Sequence, residues 1–122
     1  MDVSALHQRL TDYLKACESL EPKKIASCFS ELAVVRDPDG GVEGKADIVE
    51  YFARLYAPLA KLELTARPVY WCGGAAACEW SGQAAYKDGR RVEYCGIDTF
   101  EFDDNQLICR LVAYWDPDSL PQ

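Results

Sequence analysis

Leu6, Leu10, Tyr13, Leu14 and Cys17 recur at intervals of three and four, which predicts an amphipathic helix over residues 4–18 with Ser4 as its N-cap. Tyr13 lies on its apolar stripe. Pro22 opens a second, short helix carrying Ile25, Cys28 and Phe29. "AVVRDPDGG" then reads as a short strand broken by Pro38 and the glycine pair. Helical spacing returns with Ile48, Phe52, Leu55 and Tyr56, the inward side of a third helix over residues 45–59. From Leu62 the period drops to two. Strands are expected over 62–71, 75–87, 90–102 and 106–115, separated by the turn signals Gly73-Gly74, Asp88-Gly89 and Asp103 to Asn105. Three helices followed by a long antiparallel meander make an α+β design, in which a curved sheet wraps over the helices and encloses one pocket. The 122 residues suffice for one hydrophobic core, so residues 1–122 form a single domain in this reading.

Alternation within "RVEYCGIDTFEF" exposes an anomaly. Val92, Tyr94, Gly96, Asp98, Phe100 and Phe102 share one face, so a carboxyl stands among aromatics. A buried carboxylate needs a partner, or its pKa rises until it stays protonated. Arg36 and Arg110 are the candidate partners. In the last strand Leu107, Cys109, Leu111, Ala113 and Trp115 oppose Ile108, Arg110, Val112 and Tyr114. Leu111 and Trp115 are placed in the pocket, and Arg110 on the far side.

The formal charge of −7 argues against nucleic acid or an anionic membrane surface as a partner. The first twenty residues mix charged and apolar positions, without the hydrophobic block of a signal peptide, and no run is long enough to span a bilayer. A cytoplasmic location is expected. Six cysteines are scattered one per element with no CxxC pair, and His7 is the single imidazole, so reduced thiols are expected and a metal site is not. Ile97, Ile108, Val112 and Tyr114 give the outer sheet face an apolar character that predicts a homodimer.

Tyr13, Asp37 and Asp98 fall on a helix, a strand end and a sheet strand that can converge on one pocket. Taken singly, Tyr13 reads as a core aromatic and Asp37, before Pro38, as a turn residue. Taken together, with "LTDYLKAC", "CFSELAVVRDPDGG", "EGKADIVEYF", "DGRRVEYCGIDTFEF" and "LVAYWDP", they make the chain resemble the ketosteroid isomerases over nearly its whole length. That family shares the cone-shaped fold of nuclear transport factor two and the polyketide cyclases.

The resemblance implies a cofactor-free isomerase that moves a double bond from β,γ to α,β relative to a ketone, on a small hydrophobic, steroid-like substrate. Asp37 matches the general base. Tyr13 and Asp98 match the oxyanion hole, and Asp98 donates there only if it is protonated. Phe52, Trp80, Leu111 and Trp115 would bind substrate. Where the family often has a tyrosine on the third helix, this chain has Phe52, preceded by Tyr51. The strand "CEWSGQAAY" leaves open whether Trp80, Gly82 and Ala84 or Ser81, Gln83 and Ala85 face the pocket. Two other readings stand beside the isomerase. One is a cyclase, dehydratase or epoxide hydrolase of the same fold, the last needing an inward arginine. The other is a non-catalytic binding or dimerisation module, in which Asp98 is ionised and paired with an arginine.

Overall fold

A computed structural model describes residues 2–116 and 118. The first helix, α1, spans Val3–Glu18, and its cap is Asp2 instead of Ser4: the Asp2 carboxylate accepts the Ser4 backbone N–H at 2.9 Å. Leu6, Leu10, Tyr13, Ala16 and Cys17 form its buried stripe. The second helix, α2 (Pro22–Ala26), is one turn long and stops before Cys28. Phe29 therefore belongs to the strand β1 (Phe29–Asp37), where Phe29, Ala33 and Val35 are fully buried.

The glycine pair does not end the strand region. Pro38 and Asp39 make the turn, with the Asp39 N–H donating to Asp37 Oδ1 at 2.8 Å, and the chain returns as β2 (Gly40–Glu43) antiparallel to β1. Gly40 enters that strand at φ 140°, a conformation that side chains disfavour. Helix α3 (Lys45–Tyr56) ends three residues before the expected boundary, because Leu59 already pairs with Tyr86. Strands β3 (Leu59–Cys72), β4 (Ala75–Tyr86), β5 (Arg91–Phe102) and β6 (Ile108–Trp115) then form the meander.

The six strands lie in the order β2-β1-β6-β5-β4-β3, and every pairing is antiparallel except β1 with β6. The curved sheet is unclosed, so β3 remains an edge. Glu18, the last residue of α1, covers it by accepting the Leu64 backbone N–H at 2.8 Å. All three helices pack on the concave side, where Leu6, Leu10, Ile25, Phe29, Ile48, Phe52, Phe100 and Leu111 build one core.

Ile108 departs from simple alternation. Glu101 pairs with Arg110 but Phe102 pairs with Ile108, so Cys109 is an extra residue in β6. That bulge turns Ile108 into the core, at 1% exposure, instead of onto the outer face with Val112 and Tyr114. Ile108→Ala is accordingly expected to cost about 2–5 kcal/mol in urea unfolding. An outer-face position in an unbroken ladder would lose no more than about 0.5 kcal/mol.

Candidate active site

The concave face is assembled by register. Asp98 pairs with Cys78 on β4 and Ala113 on β6, and Phe100 pairs with Leu111, so these side chains share the side that meets the helices. Trp80 pairs with Gly96, Gly82 with Leu64, and Ala84 with Leu62. The open question about β4 is thus resolved for the Trp80, Gly82 and Ala84 face. A cavity of about 80 Å³ lies between this face and the helices. Tyr13 and Cys17 of α1, Tyr51, Phe52 and Tyr56 of α3, and Trp80, Tyr94, Asp98, Leu111 and Trp115 of the sheet all reach it.

Asp98 is buried, at 6% exposure. No arginine meets it: Arg110 pairs with Glu101 at 3.5 Å and Arg36 with Glu43 at 3.4 Å, both outside the cavity. Its protein partner is the Trp80 indole, whose Nε1–H donates to Oδ1 at 3.0 Å. Oδ2 has no partner among the described residues, and no buried side-chain oxygen there lacks one, so Oδ2 opens on the cavity. Burial pushes the Asp98 carboxyl up to about 7, against a smaller downward pull from the indole. A carboxyl so placed is mostly protonated below about pH 7 and there can donate a hydrogen bond.

Tyr13 lies edge-on to Phe29 and Phe100, with ring centroids 5.6 and 5.7 Å away. Desolvation, reinforced by Cys17 and Asp98, raises its hydroxyl well above the ordinary tyrosine range and keeps it a donor. The Cys17 thiol on the same wall is pushed up to about 12 by burial, which makes it inert as a nucleophile. Tyr56, one turn beyond Phe52, reaches the same cavity, and burial raises its hydroxyl well above the ordinary tyrosine range. Phe52 itself packs on the rings of Tyr51 and Tyr56.

Asp37 is on the concave face by its period with Ala33 and Val35, yet it does not reach the cavity wall. Tyr51 intervenes. Its phenol donates to Asp37 Oδ2 at 2.6 Å while Asp37 Oδ1 takes the Asp39 N–H. Burial first, and then Asp37, raise the Tyr51 hydroxyl far above its ordinary value. Sequence reading did not assign Tyr51 a role. The signal was its place three residues after Ile48, on the same helix face. No Lys, Arg or His lines the cavity, and no group of three or more metal-ligating side chains occurs among the described residues.

The Asp98 shift has a stability consequence. Its folded-state value lies above the 3.8 of a free carboxyl, so the native state holds the extra proton between about pH 4 and 7. The favourable contribution is complete below the unfolded value and is lost as pH rises through about 7. Asp98→Asn removes the charge and keeps an oxygen for Trp80. Its stability relative to the parent should therefore rise from pH 4 to pH 8, by up to about 4 kcal/mol. Thermal melts at the two pH values check this; a difference independent of pH would contradict it.

Residues 10–111 match the family model described as a SnoaL-like domain. A search of curated proteins finds no match. Among solved structures, a putative isomerase from Bacillus subtilis superposes with a TM-score of 0.86 at 22% identity, over 98% of this chain and 92% of that one. The epoxide hydrolase/cyclase-like enzyme SalBIII, of pyran ring formation in the polyether salinomycin, gives 0.83 at 16% identity over 97% and 95%. A putative SnoaL-like polyketide cyclase from Shewanella denitrificans gives 0.82 at 15% identity over 93% and 92%. At these identities the structures share the fold, a ketosteroid isomerase-like α+β cone. The family match spans most of the sequence, including the helix of Tyr13, the strand end of Asp37 and the strand of Asp98, and the chain belongs to the SnoaL-like domain family.

Proposed function

We propose that the cavity is the active site of a cofactor-free acid–base enzyme that moves a double bond from β,γ to α,β relative to a ketone. The observation that carries this is Asp98, a carboxyl held near neutrality among aromatic rings with one oxygen open to the cavity and no cation beside it. In this reading the ketone oxygen sits between Tyr13 and Asp98 Oδ2, and both donate to it as it becomes a dienolate. Asp37 is the base. Because the Tyr51 phenol separates its carboxylate from the cavity, the carbon proton passes to Tyr51 Oη as the phenol proton moves to Asp37 Oδ2. The reverse transfer delivers the proton two carbons away. Phe52, Trp80, Leu111 and Trp115 hold the apolar part of the substrate.

An anionic ligand would find no cation in this wall, so the substrate is neutral. The cavity volume of about 80 Å³ favours a ketone of one or two rings over a four-ring steroid, since pockets for drug-sized ligands span roughly 300–1,000 Å³. A cyclase reading shares the first step, with the enolate attacking a second carbonyl of the same substrate, and the similarity to a putative polyketide cyclase supports it. The epoxide hydrolase version lacks its inward arginine, because Arg36 and Arg110 pair outside the cavity. The binding-module reading required Asp98 to pair with an arginine, and Trp80 holds that position.

The test offers a bicyclic β,γ-enone and a 5-ene-3-oxo steroid in turn and follows the ultraviolet band of the conjugated enone, with product analysis for ring closure. Asp37→Asn and Tyr51→Phe are each expected to reduce kcat at least about 10²-fold. Asp98→Ala should lose about 10²- to 10³-fold and Asp98→Asn less, since an amide still donates. Failure of the parent protein to convert either compound would remove the isomerase reading, and an Asn variant no better than Ala would remove Asp98 from the oxyanion hole.

The same reading has the chain act in the cytoplasm as a homodimer. Among the described residues no helix is long and apolar enough to cross a membrane. On the convex face Ile97 and Tyr114 are cross-strand partners, 44% and 56% exposed, beside the half-buried Val112. A two-fold contact would cover them. Sedimentation at micromolar concentration should give twice the chain mass, and Ile97→Arg should halve it; a monomeric parent would rule the contact out.

A further inference from the structure

Trp80 carries a feature that apolar contact does not require. Its indole lies over Gly96, its cross-strand partner, and reaches the diagonal neighbour Asp98 two residues on. Gly96 makes this possible: a Cβ there would stand 2.5 Å from Trp80 Cζ2 and 2.9 Å from Trp80 Cε2. Tyr94 closes the other side, edge-on to the indole with centroids 5.3 Å apart. The ring is clamped with its single N–H on Oδ1, while Oδ2 faces open space.

We infer that Trp80 is a positioning residue that fixes the proton of Asp98 on the cavity-facing Oδ2, and that Gly96 is the backbone feature that permits it. The chemistry is that of a single donor. An indole N–H can only donate, so the oxygen that accepts it cannot at the same time point a proton along that line. The carbonyl oxygen of a neutral carboxyl is the better acceptor, so a protonated Asp98 in contact with Trp80 favours its hydrogen on the other oxygen. Without the indole the two oxygens become equivalent, and the proton is free to settle where no ligand can use it. The indole also favours the ionised form, so it limits how far burial can shift the group.

Other titratable groups facing Asp98 are Tyr13 and Cys17 from α1, Tyr51 and Tyr56 from α3, Cys78 from β4 and Tyr94 from β5. All of them are pushed upward by burial, and all are neutral across the range where Asp98 titrates. A transition near pH 7 in this cavity is thus that of Asp98. The inference concerns the unliganded protein, so it stands or falls separately from the isomerase reading.

The experiment is an NMR titration of the free, full-length protein labelled at aspartate Cγ and indole nitrogen. The Trp80 indole signal, identified by its loss in Trp80→Phe, is expected to shift with the same midpoint as Asp98 Cγ, near pH 7. That coupled shift should vanish in Asp98→Asn. In Trp80→Phe, which keeps an aromatic ring over Gly96, the Asp98 midpoint should move upward because a donor to the ionised form is gone. An indole signal that ignores the Asp98 transition, or an Asp98 midpoint unchanged or lowered in Trp80→Phe, would overturn the assignment. Should Trp80→Phe fail to fold, Asp98→Asn identifies the signal and the parent titration decides alone.

Discussion

One carboxyl buried without a cation governs the site. Asp98 stands among Phe100, Tyr13 and Trp80 with a single indole hydrogen bond, and the surroundings fit that condition. Ala113 and Cys78, its cross-strand partners, are small and leave room beside it. The two arginines that could have paired with it, Arg110 and Arg36, are held instead by Glu101 and Glu43. Had either turned inward, the attraction would have held the carboxyl ionised and turned a hydrogen-bond donor into an acceptor. The raised Asp98 carboxyl goes with the absence of cations from the cavity wall as much as with its apolar neighbours.

Much of this was legible in the sequence because period two is unforgiving. A slip of one residue would have moved Asp98 to solvent together with Phe100 and Phe102, so the burial of Asp98 followed from its neighbours. Helix α1 was equally plain, since Tyr13 shares a stripe with Leu6 and Leu10. The failures were local. Asp2 outcompeted Ser4 as the cap, one glycine pair opened a strand instead of ending one, and the bulge at Cys109 carried Ile108 inward. The cap depends on a local side-chain to backbone bond, and the other two on pairing between strands, none of which alternation within one segment encodes.

The partners of the three polar residues were less legible than the residues themselves. Tyr51 binds Asp37 across fourteen positions, and Trp80 binds Asp98 across eighteen. Both bonds come from side chains that would pass as ordinary core aromatics. Their polar ends acquire meaning from geometry: a phenol between a carboxylate and a cavity, and an indole laid over a glycine. Two thiols, Cys72 and Cys95, are exposed, because their strand positions face away from the helices.

In the proposed isomerase the two carboxyls take different roles because their environments differ. Asp37, at a half-exposed strand end, has both oxygens engaged, by a backbone N–H and by the Tyr51 phenol. Asp98 has one donor and otherwise apolar neighbours, which favours the neutral form. In the proposed reaction the acid thus lies on the cavity wall and the base behind Tyr51, with no Lys, Arg or His lining the cavity. In that proposal the substrate first releases and then accepts a proton while its oxygen carries transient negative charge. A neutral ketone with an acidic carbon beside it meets that requirement, and a carboxylate or phosphate ester, which would bring a permanent charge into this wall, does not.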